Sequence, residues 1–182
     1  MPKCARTFSK RRSLADRMKL DFKSTRALPS QWRRVADLRI RAISESPQWF
    51  ASNLEKEQAR SEAEWRETIG NIYWIIYTFE EKDVGIMTVE RADPIRGTDC
   101  WLSGCWIEPE LRGKGIMAKM IERLDEICRK EGWNSQGLGV WPTNEVAINA
   151  YTKSGFVKQG EPKPSRSKPG QLYQMMVRSL PK

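Results

Sequence analysis

Histidine is absent from this 182-residue chain, and that absence excludes more chemistry than anything else in the sequence. Without imidazole no Ser-His or Cys-His nucleophile pair can be built, so Asp, Glu, Tyr, Lys or water must move any protons. Common zinc sites also lose their usual ligand. The four cysteines, Cys4, Cys100, Cys105 and Cys128, lack paired metal-ligand spacing, so no metal is expected. Long apolar runs are missing too. The longest, Ile72 to Phe79, falls well short of the roughly 20 residues a bilayer span needs, so no membrane span is expected. The N-terminal MPKCARTFSKRRSLADRMKL has charges but no apolar region or small-residue cleavage site, and the expectation is an intracellular, cytoplasmic protein. Internal repeats, low-complexity blocks and domain boundaries are absent as well.

What is present is enough for one packed domain. An apolar share of 39% and eight tryptophans argue against disorder, and the length suits a single core. The net charge of +9 is unevenly spread. Residues 1 to 20 hold seven Lys/Arg against one Asp, and residues 158 to 182 hold six against one Glu, whereas residues 42 to 157 carry 13 basic and 19 acidic side chains. The first 20 residues read as a basic, solvated and partly mobile arm, with an electrostatic contact to RNA, DNA or an acidic membrane as the sharper alternative.

Periodicity places α and β elements in alternation. A first strand is expected near 21 to 27. A helix opened by Pro29 and Ser30 should stop before Pro47, and a second, 61 to 69, should be capped by Gly70. NIYWIIYTF (71 to 79) and DVGIMTVERA (83 to 92) read as a hairpin, and DCWLSGCWI (99 to 107) as the next strand, broken by Pro109. From Met117, apolar residues recur at helical spacing until Gly132. Strand 135 to 141, helix 143 to 154, strand 155 to 159, a Pro/Lys/Ser/Gly-rich loop at 160 to 170 and a strand at 172 to 180 complete an α/β pattern.

The stretch Glu110-Leu-Arg-Gly-Lys-Gly-Ile-Met117 joins a strand to a helix start, where backbone N–H groups and the helix dipole favour an anion. Gly113 and Gly115 let backbone approach a phosphate closely, and Arg112, Lys114 and Lys119 add positive charge. No Gly-x4-Gly-Lys-Ser/Thr motif exists here, and no Gly-x-Gly-x-x-Gly opens a helix. Arg112-Gly-Lys-Gly115-Ile-Met117 instead resembles the Arg/Gln-x-x-Gly-x-Gly/Ala signature of the GCN5-related N-acetyltransferase (GNAT) superfamily. Asn144-x-x-Ala147-x-x-x-Tyr151-x-Lys153-x-Gly155-Phe156 is similar to the family's second motif, and the likeness spans about residues 22 to 180. Met117 departs from it by placing a bulky side chain where the family prefers Gly or Ala.

The resemblance implies a GNAT fold: a central mixed, mostly antiparallel sheet of six to seven strands, flanked by about four helices and splayed between the fourth and fifth strands. It also implies direct transfer from acetyl-CoA to an amine of a small molecule or protein. Cys105, Trp106, Ile107, Arg112, Gly113, Lys114, Gly115, Ile116, Met117, Asn144 and Tyr151 would bind the cofactor, with Tyr151 also the general acid. Asp99 is the candidate base because histone-lysine acetylating relatives place a Glu at that spacing; Glu90, Glu108 and ordered water are further options. Relatives acting on protein N-termini carry a Glu where this chain has Gly139. A catalytically silent acyl-CoA-binding module and a nucleic-acid-associated protein stay open as alternatives, and a homodimer is compatible with such folds.

Overall fold

The computed structural model describes residues 22–181, so the basic arm at 1 to 20 lies outside the described residues. The elements are β1 (Lys23–Arg26), α1 (Trp32–Glu45), α2 (Leu54–Gln58), α3 (Glu62–Asn71), β2 (Tyr73–Phe79), β3 (Lys82–Arg91), β4 (Cys100–Ile107), α4 (Ile116–Glu131), β5 (Ser135–Val140), α5 (Glu145–Lys153), β6 (Val157–Lys158), β7 (Lys163–Pro164) and β8 (Leu172–Ser179).

Local chemistry accounts for most boundaries. Helix α1 buries Val35, Ala36, Leu38, Ala42 and Ile43 along one stripe and stops just before Pro47, whose ring disfavours a helical predecessor. Ser61 and Glu64 close a reciprocal capping box on α3. Gly70 does not end that helix as the sequence suggests. The Ile72 N–H still bonds the Thr68 carbonyl at 3.2 Å, so Gly70 sits inside the last turn. Gly132 does end α4, in the left-handed conformation. Two further differences lie in the Pro-rich segment. Strand β6 is only two residues long, and Lys163 and Pro164 pair with Tyr173 and Leu172, so the stretch read as a loop forms the first arm of a β7–β8 hairpin.

Eight strands result, where six to seven were expected. They run β1-β2-β3-β4-β5-β8-β6, with β7 also on β8, and every pairing is antiparallel except β4 with β5. That parallel pairing covers only Cys100↔Gln136, Trp101↔Gly137 and Leu102↔Leu138. Beyond Leu102 the two strands diverge, giving the splay that the resemblance implies. Between Ile86↔Trp106 and Thr88↔Ser103 the β3–β4 register shifts, because β4 carries one residue more than its partner. Gly104 takes up this bulge at φ +60°.

Alternating residues send the sheet's two faces into separate cores. Ile75, Tyr77, Met87, Val89 and Leu102 pack with α4 and with Tyr151 of α5 on one face. Trp74, Ile76, Ile86 and Trp106 pack with α1 and α3 on the other. The β4 bulge therefore lies between the two cores, with Cys105 and Ile107 on the α4 side and Trp106 on the α1 side.

Candidate functional site

The first element of the site is a row of backbone donors. Gly113 and Gly115 both adopt left-handed conformations, φ +72° and +78°, and a Cβ at either would meet nothing within 4 Å. Side chains are thus barred by backbone conformation while the space ahead is open, the arrangement close anion approach requires. Helix α4 starts at Ile116 with Gly115 as N-cap and no side-chain cap. Its first N–H groups consequently have no partner within the helix. Ile116 is buried, and Met117 is half-buried against the α4-side core. The bulky residue at the unusual position therefore packs inward and leaves the turn clear.

Arg112 does not point its guanidinium at this row. Its Nε donates to the Ile107 carbonyl at 2.9 Å and its Nη2 to the Glu45 carboxylate at 2.5 Å, at the end of α1. Glu45 also accepts from Trp106 Nε1 at 2.9 Å. The Arg112 bonds hold its carboxyl down to about 2, against the opposing effect of burial, with Ser46 and Trp106 adding smaller contributions. These side chains fix the turn to α1 and engage the Arg112 guanidinium away from the backbone row. Lys114 bends back to the Glu110 carbonyl.

The second element is the β4 bulge. On the α4 side, Cys105 packs against the core that contains Tyr151. Burial pushes the Tyr151 hydroxyl well above the ordinary phenol value, and the nearby Cys105 adds to the rise. Burial also pushes the Cys105 thiol up to about 12. Tyr151 stacks edge-on against Phe156 at 5.8 Å, which fixes its ring. Asn144 caps α5 by accepting from the Ala147 N–H at 3.1 Å. Asn144, Ala147 and Tyr151 share one helix face, as their spacing predicts.

On the other face, Thr88 and Ser103 hydroxyls meet at 2.7 Å beside the bulge, and Glu90 pairs in register with Trp101. Asp99 is not brought to this region. It precedes Gly104 by five residues, about 16 Å of extended strand. Its carboxylate accepts from the Asn134 N–H at 2.8 Å and from the Ser135 N–H and hydroxyl at 2.9 and 3.0 Å. Those bonds lower its pKa and tie the entry of β5 to β4. Glu108 forms an ion pair with Arg41 at 3.0 Å. At Gly139 a Cβ would lie 2.9 Å from the Tyr173 ring and 3.4 Å from Trp101, so the ring packing leaves no room for a carboxylate there.

Segments distant in sequence also meet at the end of α1. Trp141 Nε1 donates to the Trp49 carbonyl at 3.1 Å, and Lys168 Nζ donates to the Pro47 carbonyl at 3.3 Å. Neither contact is legible in the sequence, nor are the two buried arginines, Arg39 and Arg178. A signal for the bulge did exist: an isolated glycine, Gly104, inside an otherwise apolar strand. No group of three or more His, Cys, Asp or Glu among the described residues is arranged to hold a metal ion. No described helix is long and apolar enough to cross a membrane.

Residues 40–156 match the model of the Acetyltransferase (GNAT) family. With more than half of the chain matched, this protein belongs to that family. Its fold is shared by an acetyltransferase of the GNAT family from Streptococcus pneumoniae, at 17% identity and TM-score 0.70, covering 88% of this chain and 100% of that one. The protein yncA from Salmonella typhimurium, solved with its cofactor acetyl-CoA, matches at 16% identity and TM-score 0.67, covering 89% and 95%. RimL, a ribosomal L7/L12 alpha-N-protein acetyltransferase solved with coenzyme A, matches at 14% identity and TM-score 0.67, covering 88% and 95%.

Proposed function

We propose that the protein transfers the acetyl group of acetyl-CoA directly to a primary amine of a small molecule or protein. One observation carries this reading: the uncapped N–H row at Gly113–Met117 follows directly on β4, whose bulged end is unpaired by β5 and is tied to the turn by the Arg112–Ile107 hydrogen bond. Open space before the two left-handed glycines fits a pyrophosphate approached by backbone. When bound, acetyl-CoA supplies an activated thioester, whose acetyl carbon accepts the amine as its C–S bond breaks.

The chain's own residues would do the rest. Backbone of Cys105, Trp106 and Ile107, freed from β5 by the splay, holds the donor's arm, and an N–H there polarises the carbonyl as negative charge develops on its oxygen. Tyr151, kept protonated by burial, acts as the acid toward the departing sulfur. Because the thiol pKa lies near ~8.5, below that of a raised phenol, Tyr151 shares its proton with the developing thiolate and solvent completes the transfer. The amine must attack unprotonated; one with a pKa near ~10.4 is neutral in only about one molecule per thousand at pH 7.4. Glu90, on the face opposite Tyr151, would draw off that proton through water. Asp99 is spent on β5.

A thiol-release assay with acetyl-CoA and a panel of amines tests the reading. Amine-dependent appearance of free CoA is the expected result. Tight acetyl-CoA binding with no release from any amine would instead define a silent acyl-CoA-binding module.

A further inference from the structure

Two thiols face one another inside the α4-side core, and the transfer chemistry uses neither. Cys100 is the first residue of β4, and Cys128 opens the last turn of α4. Both are free and fully buried, and their Sγ atoms lie 3.5 Å apart. A disulfide needs a sulfur separation of roughly 2.05 Å, so about 1.5 Å of sulfur movement closes the gap. Cys105, the other described cysteine, lies five residues farther along β4, roughly 16 Å of strand from Cys100.

The surroundings make the two sulfurs unequal. Gln136 Nε2 donates to Cys128 Sγ at 3.5 Å and to Asp125 Oδ1 at 2.6 Å, while its Oε1 accepts from Arg178 Nη1 at 3.1 Å. Hydrogen bonds to a sulfur favour its thiolate. The bond from Cys100 accordingly holds the Cys128 thiol below its usual pKa, against the opposing effect of burial and with Gln136 adding to the fall. The same bond and burial push the Cys100 thiol up. Cys128 is thus the readier nucleophile and Cys100 its neighbour. Arg178 also lines an open cleft of about 410 Å³, with Thr98, Ser135 and Gly155. A chain of contacts, Arg178 to Gln136 to Cys128, therefore runs from that cleft to the sulfur. Both cysteines sit at the ends of their elements, where local opening costs least.

We propose that Cys100 and Cys128 are a redox site, joined by hydrogen peroxide into a reversible disulfide that fastens the start of β4 to the end of α4. The Cys128 thiolate attacks one peroxide oxygen, the O–O bond breaks and hydroxide leaves, giving a sulfenic acid. The Cys100 sulfur then attacks the Cys128 sulfur. The S–S bond forms as the S–O bond breaks, and the second oxygen departs as water. Two thiols and one peroxide yield one disulfide and two waters, with the thiol hydrogens ending on the waters. The bond closes a loop that contains the Gly113–Gly115 turn, and it lies at the paired end of the β4–β5 junction, where Cys100 opposes Gln136.

Peptide mapping of the full chain after hydrogen peroxide treatment and alkylation tests the site. The expected product is a peptide pair linking Cys100 to Cys128, two hydrogens lighter than the reduced peptides and lost on adding dithiothreitol. The oxidised protein should melt about 5–10 °C above the reduced one, as a closed loop of this size implies. With dimedone as a trap for sulfenic acid, Cys100→Ser should be labelled at Cys128, because a serine hydroxyl still donates to that sulfur, whereas Cys128→Ser should leave Cys100 unlabelled. Two alkylated, unlinked thiols at these positions in the treated wild type, or a linked protein that melts no higher than the reduced one, overturns the proposal. Dimedone on Cys100 in Cys128→Ser, with none on Cys128 in Cys100→Ser, overturns the order of attack. All readouts are thiol state and thermal stability, so acetyl transfer stands or falls separately.

Discussion

Two buried arginines do opposite things in this molecule. Arg178 on β8 donates to both oxygens of Asp125 on α4, at 2.8 and 3.0 Å, and to Gln136 on β5 at 3.1 Å. Its charge is matched one for one, and with both side chains 11% exposed the pair pins α4 to the far half of the sheet. Arg39, equally enclosed, shares Glu57 with Arg60 and packs its Nη1 into the space left by Gly104. Arg178 has a carboxylate to itself, whereas Arg39 and Arg60 divide one between them. Burial is the same in both, so only the count of partners tells them apart.

Removing each arginine should expose the difference. Arg178→Gln strands Asp125 as an uncompensated buried charge and is expected to cost about 3–5 kcal/mol in chemical denaturation. Arg39→Gln leaves the Glu57–Arg60 pair intact and should lose at most about half of that. Equal losses from the two substitutions would remove the contrast.

The two faces of the bulge can be separated in the same way. Tyr151→Phe removes the hydroxyl on the donor side and should lower kcat by about 10²-fold, leaving acceptor KM nearly unchanged. Unchanged kcat would end the acid assignment. Because burial raises the Tyr151 pKa, the hydroxyl stays protonated through neutral and mildly alkaline pH. Rates should accordingly rise from pH 6 to 9 as the amine loses its proton, with no descending limb from Tyr151 below pH ~10. Gly115→Glu puts an anionic side chain on a φ +78° backbone and should weaken acetyl-CoA binding about tenfold or more in a calorimetric titration. The smallest effect belongs to Glu45. Its pKa is depressed to about 2, so its stabilisation is present above the ordinary carboxylate pKa and fades as pH falls toward 2. Glu45→Gln should flatten the loss of Tm between pH 5 and 3, modestly because the group is partly solvated.

Periodicity made the elements legible wherever side chains alone decide them. Helix α1 and strands β2 and β3 follow their apolar spacing, and the Gly113–Gly115 turn follows from glycines that admit positive φ. Features that depend on a partner distant in sequence could not be read in advance. Arg112 is a cation near a helix start until Glu45, 67 residues away, takes it. Asp99 sits at a catalytic spacing until the chain at Asn134 and Ser135 returns to bond it. Gly70 resembles a helix cap because the local signal is silent about the turn that continues past it. Arg39 has no motif at all, since its meaning comes from a glycine 65 residues later whose missing side chain makes room for it.

The short β4–β5 pairing has a mechanical side. Strands β1 to β4 and strands β5 to β8 adjoin along three residue pairs, Cys100↔Gln136 to Leu102↔Leu138, so the sheet is close to two half-sheets stitched at one end. A ligand lying in the open end would act as the missing stitches. Donor occupancy and resistance to local opening would therefore rise together, and amide exchange at residues 103 to 107 would report how firmly the halves are joined.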